Sequence, residues 1–128
     1  MQRLGGPVVR GGQAQPISPL VRADGPLLFV SGQVPIIGGK IIGDDITTQT
    51  NCVIDQIEQI LTLAGARLDN IVKCTVWLVD KNDYPAFNTA YANRFPPDRA
   101  PARSTVISDL IVPVLVEMEA IAEMPDKS

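Results

Sequence analysis

Apolar residues recur along this chain in two rhythms, alternation and helical spacing, and the switches between them mark its elements. VRA (21–23), the pair Asp24-Gly25 and LLFVSGQVPI (27–36) read as two strands about a tight turn. Gly38-Gly39 separates VPII from KII and predicts a second hairpin. Ile46, Thr50, Val53, Ile54, Ile57, Ile60, Leu61 and Ala64 then fall three and four apart, which is one apolar stripe of a helix. Asp45 or Thr47 is placed to cap its start, and Gly65 suits the position just past its end. NIVKCTVWLVD (70–80), rich in β-branched residues, predicts a strand. Tyr84, Phe87, Tyr91 and Phe95 return to helical spacing, with Asp83 as the expected cap and Pro85 in the first turn. PPDRAPA (96–102) stops that helix, and STVIS (104–108) and VLVEMEAIAEM (114–124) predict two closing strands.

The order β-β-β-α-β-α-β-β implies an α+β sandwich, with two helices covering one face of a sheet. No linker or repeat divides the chain, so residues 1–128 are read as one domain. Residues 1–16, rich in Gly and Gln, are expected to run over the surface with at most a short strand.

Composition narrows the chemistry. Hydrophobic residues make up 45% of the chain but aromatics only 5%, so the core should be aliphatic. A mean hydropathy of +0.14 is high for a small monomer and suggests apolar surface buried against other copies. The formal net charge is −3 and no two basic residues are adjacent, which argues against a nucleic-acid partner. Histidine is absent, excluding His-based zinc sites, Ser-His-Asp triads and Cys-His dyads. Cys52 and Cys74 are too far apart for a metal knuckle and read as reduced packing thiols. Neither a secretory h-region nor an apolar run of about 20 residues occurs, so a cytoplasmic location and no membrane association are expected.

Few groups are left to carry a reaction. Arg103, between Pro101-Ala102 and a strand, is either a solvated loop arginine or a fixed guanidinium that grips a carboxylate through two parallel hydrogen bonds. Arg99 competes for that role. Glu117 and Glu119 share a strand face with Leu115 and Ile121, opposite Val114, Val116, Met118, Ala120 and Ala122. Either this is a polar outer face, or its apolar neighbours mean that another subunit covers it. A covered carboxylate can act as a base or hold a water. Ser31-Gly32 either ends a strand or lets a ligand approach the backbone. Asn88 lies beside the aromatic stripe.

Together, SPLVRADGPLLFVSGQVP, QTNCVIDQIEQILTLAGA, IVKCTVWLVDKNDYPAFNTAY, PARSTV and VLVEMEAIA resemble the reactive intermediate deaminase (RidA/YjgF) family over residues 17–123. PARS with VE-x-EAIA is the most specific pair. The resemblance implies a chorismate mutase-like fold and a homotrimer round a central barrel, with three sites at subunit clefts. It implies hydrolysis of 2-imino or enamino acids, such as 2-iminopropanoate, to 2-keto acids and ammonia, without metal or organic cofactor. By position, Arg103 matches the arginine that binds the substrate carboxylate, and Glu117 the carboxylate associated with the catalytic water. Ser31, Gly32 and Asn88 match pocket-lining positions, and the main chain at Thr105 is expected to face the ligand. Leu20 stands where well-known members have a tyrosine reaching into the site, and Thr105 replaces a cysteine found in some. Losing that phenol leads to an expected shift towards larger apolar imines, reversed by Leu20→Tyr. Two alternatives remain beside this reading: a non-catalytic trimer that binds small carboxylates as a sensor or regulator, and a deaminase of a specialised intermediate. RNA cleavage fits poorly with the acidic balance and the missing histidine.

Overall fold

The computed structural model describes residues 1–125. Seven strands precede the first helix: β1 (Gln2–Leu4), β2 (Val9–Arg10), β3 (Gln13–Ala14), β4 (Leu20–Arg22), β5 (Leu27–Gln33), β6 (Ile36–Ile37) and β7 (Lys40–Ile41). After them come α1 (Ile46–Leu61), β8 (Ile71–Leu78), α2 (Tyr84–Arg94), β9 (Ala102–Ile107) and β10 (Val116–Glu123). The main sheet has the order β5-β10-β8-β9, antiparallel except where β9 runs parallel to β8.

Alternation along β10 sorts its residues as the pattern predicts. Val116, Met118, Ala120 and Ala122 are buried, and they join Val30, Cys74, Val76 and Leu78 in one cluster with both helices. From α1, Val53, Ile54, Ile57 and Leu61 enter that cluster, and from α2 Phe87 and Tyr91. The aromatic stripe is therefore core, and both cysteines are free and buried within the packing. Of the two candidate caps, Asp45 serves α1, its carboxylate accepting from Thr48 N at 3.0 Å. A single 3₁₀ turn (62–64) extends the helix, and Gly65 ends it at φ 71°. Gly38 and Gly39, at φ 58° and 78°, form the expected β6–β7 hairpin.

Three local expectations are corrected. The hairpin at Asp24-Gly25 does not form: β4 pairs with β1, and β5 pairs with β10. Gly25 is not at positive φ, as a tight primed turn requires, and Pro26 has no N–H. The Asp24 and Gly25 N–H groups donate instead to Glu123 Oε2, at 2.8 and 3.3 Å. Asp83 holds the N-cap position of α2, but its side chain makes no capping hydrogen bond. Asp80 caps the preceding 3₁₀ turn, its carboxylate accepting from Asn82 N at 2.8 Å, and that turn leads directly into α2. Finally, the first sixteen residues hold three short strands rather than at most one, with β2 and β3 forming a hairpin through Gly11-Gly12.

Facing away from the helices, the sheet carries Phe29, Lys73, Thr75, Trp77, Glu117, Glu119 and Ile121. Phe29 is 74% exposed, unusual for an aromatic at the middle of a strand. Among the described residues no helix is long and apolar enough to cross a membrane.

Candidate functional site

Arg103 points to the helix face of the sheet. Its register partner on β8 is Cys74, opposite Ala120 of β10, and both are buried. There the guanidinium meets α2, whose i, i+4 spacing sets Tyr84 and Asn88 on one side. Nη1 donates to Asn88 Oδ1 at 2.9 Å and Nη2 donates to the Tyr84 hydroxyl at 2.8 Å. Its Cζ lies 4.7 Å from the centroid of Tyr91 and 5.4 Å from that of Phe87, so the cation rests on the aromatic stripe. Asn88 is held in turn, Nδ2 donating to Gln15 Oε1 at 3.0 Å. These contacts fix the fork before any ligand arrives.

They also leave it unfinished. A guanidinium has five N–H groups, and two are used here. Arg103 Nε is buried without a hydrogen-bond partner among the described residues, and so is the Thr105 hydroxyl. Burying an unpaired donor costs about 1–3 kcal/mol. Both residues border a cleft of about 430 Å³ lined by residues 103–106 of β9 with Arg10, Ile17 and Tyr84. Because β9 is the edge strand, its free backbone edge is not paired to another strand of the sheet. Among the described residues no carboxylate lines this cleft.

Glu117 lies elsewhere. It pairs with Trp77, which pairs with Val106, and this row belongs to the face away from the helices. Beside it Ser31 and Gly32 of β5 span the single residue Glu119 of β10, a bulge between the Met118–Gln33 and Ala120–Val30 pairs. The bulge brings Gly32 under the Glu117 carboxyl, so that a Cβ there would overlap Oε2 and lie 3.2 Å from Cδ. A second, smaller hollow next to Glu117 is bordered by Trp77 and the loop 108–111.

The expected site residues thus fall into two groups in one copy of the chain. Arg103, Asn88 and Thr105 share the cleft region, whereas Glu117, Gly32 and Ser31 share the opposite face. Leu20 is exposed on β4 opposite Leu4 and does not line the cleft of this copy. Arg99, the rival arginine, is at the surface 3.9 Å from Asp69. Cys74, beneath Arg103, has its thiol pushed up to about 11 by burial, so it is neutral and a poor nucleophile at ordinary pH. Among the described residues no three His, Cys, Asp or Glu side chains gather as a metal site.

Sequence reasoning missed Tyr84 as a ligand of Arg103, and missed Arg10 and Gln15 altogether. The i, i+4 relation of Tyr84 to Asn88 was a usable signal. For Arg10 and Gln15 there was none, because only tertiary packing folds the N-terminal hairpin against α2.

Fold and site define a small α+β sandwich whose sheet edge presents a held, incompletely bonded guanidinium. The family model described as Endoribonuclease L-PSP matches residues 12–124. A RutC family protein of Pyrococcus abyssi is 45% identical over 113 residues, covering 84% of this chain and 88% of that protein. The crystal structure of yeast Mmf1 superposes with a TM-score of 0.74 at 32% identity, over 94% of this chain and 93% of that one. A member of the YjgF protein family from Neisseria meningitidis gives 0.72 at 30% identity, over 91% and 93%. The chain belongs to the YjgF/RidA/RutC family, and its fold is the chorismate mutase-like α+β fold of those structures.

Proposed function

We propose that the protein hydrolyses 2-imino acids to 2-keto acids and ammonia at a site completed by a second copy of the chain. The observation that carries this reading is the fork of Arg103, positioned by Asn88 and Tyr84 yet with Nε buried and unpaired beside an open cleft. A carboxylate is the planar, two-oxygen anion that such a fork fits.

The chemistry needs little more than a positioned water. With the substrate carboxylate on Arg103, a water held by Glu117 attacks the iminium carbon while Glu117 takes its proton. The resulting carbinolamine carries hydroxyl and amine on one carbon. Glu117 returns a proton to nitrogen, the C–N bond breaks, and the hydroxyl oxygen becomes the keto oxygen as its proton passes to the departing ammonia, giving ammonium. Iminium and water are consumed, and keto acid and ammonium are formed. Cys74 takes no part.

Arg103 and Glu117 lie on opposite faces of one sheet, so a single copy does not offer both to one small substrate. The exposed Phe29 and half-buried Ile121 and Trp77 around Glu117 form an apolar face suited to another copy. A homotrimer, in which Arg103 of each copy meets Glu117 of the next, accounts for both features.

The test is to generate alanine- and leucine-derived imines with an amino-acid oxidase and follow trapping by semicarbazide. Wild type should speed the loss of trappable imine. Arg103→Ala and Arg103→Lys should lower kcat/KM by about 10²-fold while remaining folded. Full activity in Arg103→Ala would overturn the reading. Binding of 2-keto acids with no faster imine loss would instead leave a carboxylate-binding protein.

A further inference from the structure

The cleft beside Arg103 contains a second cation. Arg10 ends β2, is exposed, and borders the same cleft from the N-terminal hairpin. Arg22, Arg94 and Arg99 each have a carboxylate partner, but neither Arg10 nor Arg103 has one among the described residues. Two guanidiniums with no carboxylate of the same copy's described residues on the cleft wall favour anions.

The position of Arg10 is built, not incidental. Gly11 and Gly12, at φ 57° and 77°, supply the turn that a two-residue hairpin needs. Val8 N donates to Ile17 O at 2.9 Å, and Gln15 N donates to Val8 O at 2.7 Å, closing the base of the hairpin. Gln15 then accepts from Asn88, the residue that holds Arg103. One chain of hydrogen bonds therefore runs from the hairpin bearing Arg10 to the carboxylate-gripping fork.

We propose that Arg10 forms a second anion subsite, and that the preferred substrates are 2-imino acids bearing a second carboxylate, one acid group on Arg103 and the other on Arg10. This rests on the deaminase reading and names its substrate class. It adds a preference set by charge to the expectation drawn from Leu20, a residue outside the cleft of this copy.

The experiment compares imines generated in situ from aspartate, glutamate and alanine, taking the ratio of kcat/KM for acidic over neutral substrate. Wild type should favour the acidic imines. Arg10→Gln should lower the ratio roughly tenfold, and Arg10→Glu should lower it further. Added salt should lower the wild-type ratio too, since Arg10 is exposed. A ratio unchanged within about twofold in both variants would overturn the subsite. Calorimetric titration with 2-oxoglutarate and 2-oxobutanoate tests the subsite apart from turnover. Tighter dicarboxylate binding that depends on Arg10, from a protein that accelerates no imine, would support the subsite and overturn the deaminase reading. Equal affinity for both acids would overturn the subsite even where imine hydrolysis is observed.

Discussion

The Glu117 carboxyl lies directly over Gly32, on the β5 bulge where any side chain would meet Oε2. Gly32 is not at positive φ, so its backbone accepts alanine without strain, and the obstacle is the movable end of Glu117. Gly32→Ala should therefore alter stability by less than about 1 kcal/mol in urea unfolding. Activity should fall at least about tenfold, because the carboxylate is displaced. A variant as active as wild type would mean that this placement of Glu117 is irrelevant to turnover.

Asn88 spans two relationships, accepting from Arg103 and donating to Gln15. Asn88→Asp keeps the shape but puts a carboxylate where the neutral amide oxygen was, giving Arg103 an internal partner. Affinity for a 2-keto acid should fall by about tenfold, or ~1.4 kcal/mol, with the melting temperature unchanged or raised. Titration calorimetry and thermal unfolding on the same samples check both halves, and undiminished affinity would detach Asn88 from the site.

Phe29 is 74% exposed on the face that bears Glu117. Phe29→Glu should leave one copy folded, since the side chain is not in the core, yet should break association and abolish turnover together. Light scattering after size exclusion gives the mass. A trimer that persists in this variant, or an active monomer, would rule out completion of the site across this face.

Glu123 gives the acid limb of stability a defined origin. Burial pushes its carboxyl up, but the N–H groups of Asp24 and Gly25 and the Met1 ammonium outweigh that and hold it below its ordinary value. An acid with a lowered folded pKa contributes stability above its unfolded value of about 4.3, and that contribution is lost as pH falls through the folded value. Urea midpoints measured below pH 5 should thus decline less steeply in Glu123→Gln than in wild type. Identical slopes would assign the acid limb to other carboxylates.

Much of this molecule was legible from periodicity alone. The stripe from Ile46 to Leu61 specified α1, and alternation along 114–122 assigned β10 to its faces as far as Ala122, because burial of one face imposes a period that the chain must obey. Arg103, Glu117, Asn88 and Gly32 were identifiable as candidates by residue type and family pattern. What only the tertiary structure decided was long-range pairing. β4 joins β1 instead of β5, since the turn amides of Asp24 and Gly25 are taken by Glu123, about a hundred residues away in the chain. Arg10 and Gln15 join the site for a similar reason: their hairpin has no strong local pattern and acquires its place through a hydrogen bond to Asn88. Local periodicity records which side of an element is buried, whereas the partner that buries it is chosen by contacts between residues far apart in sequence.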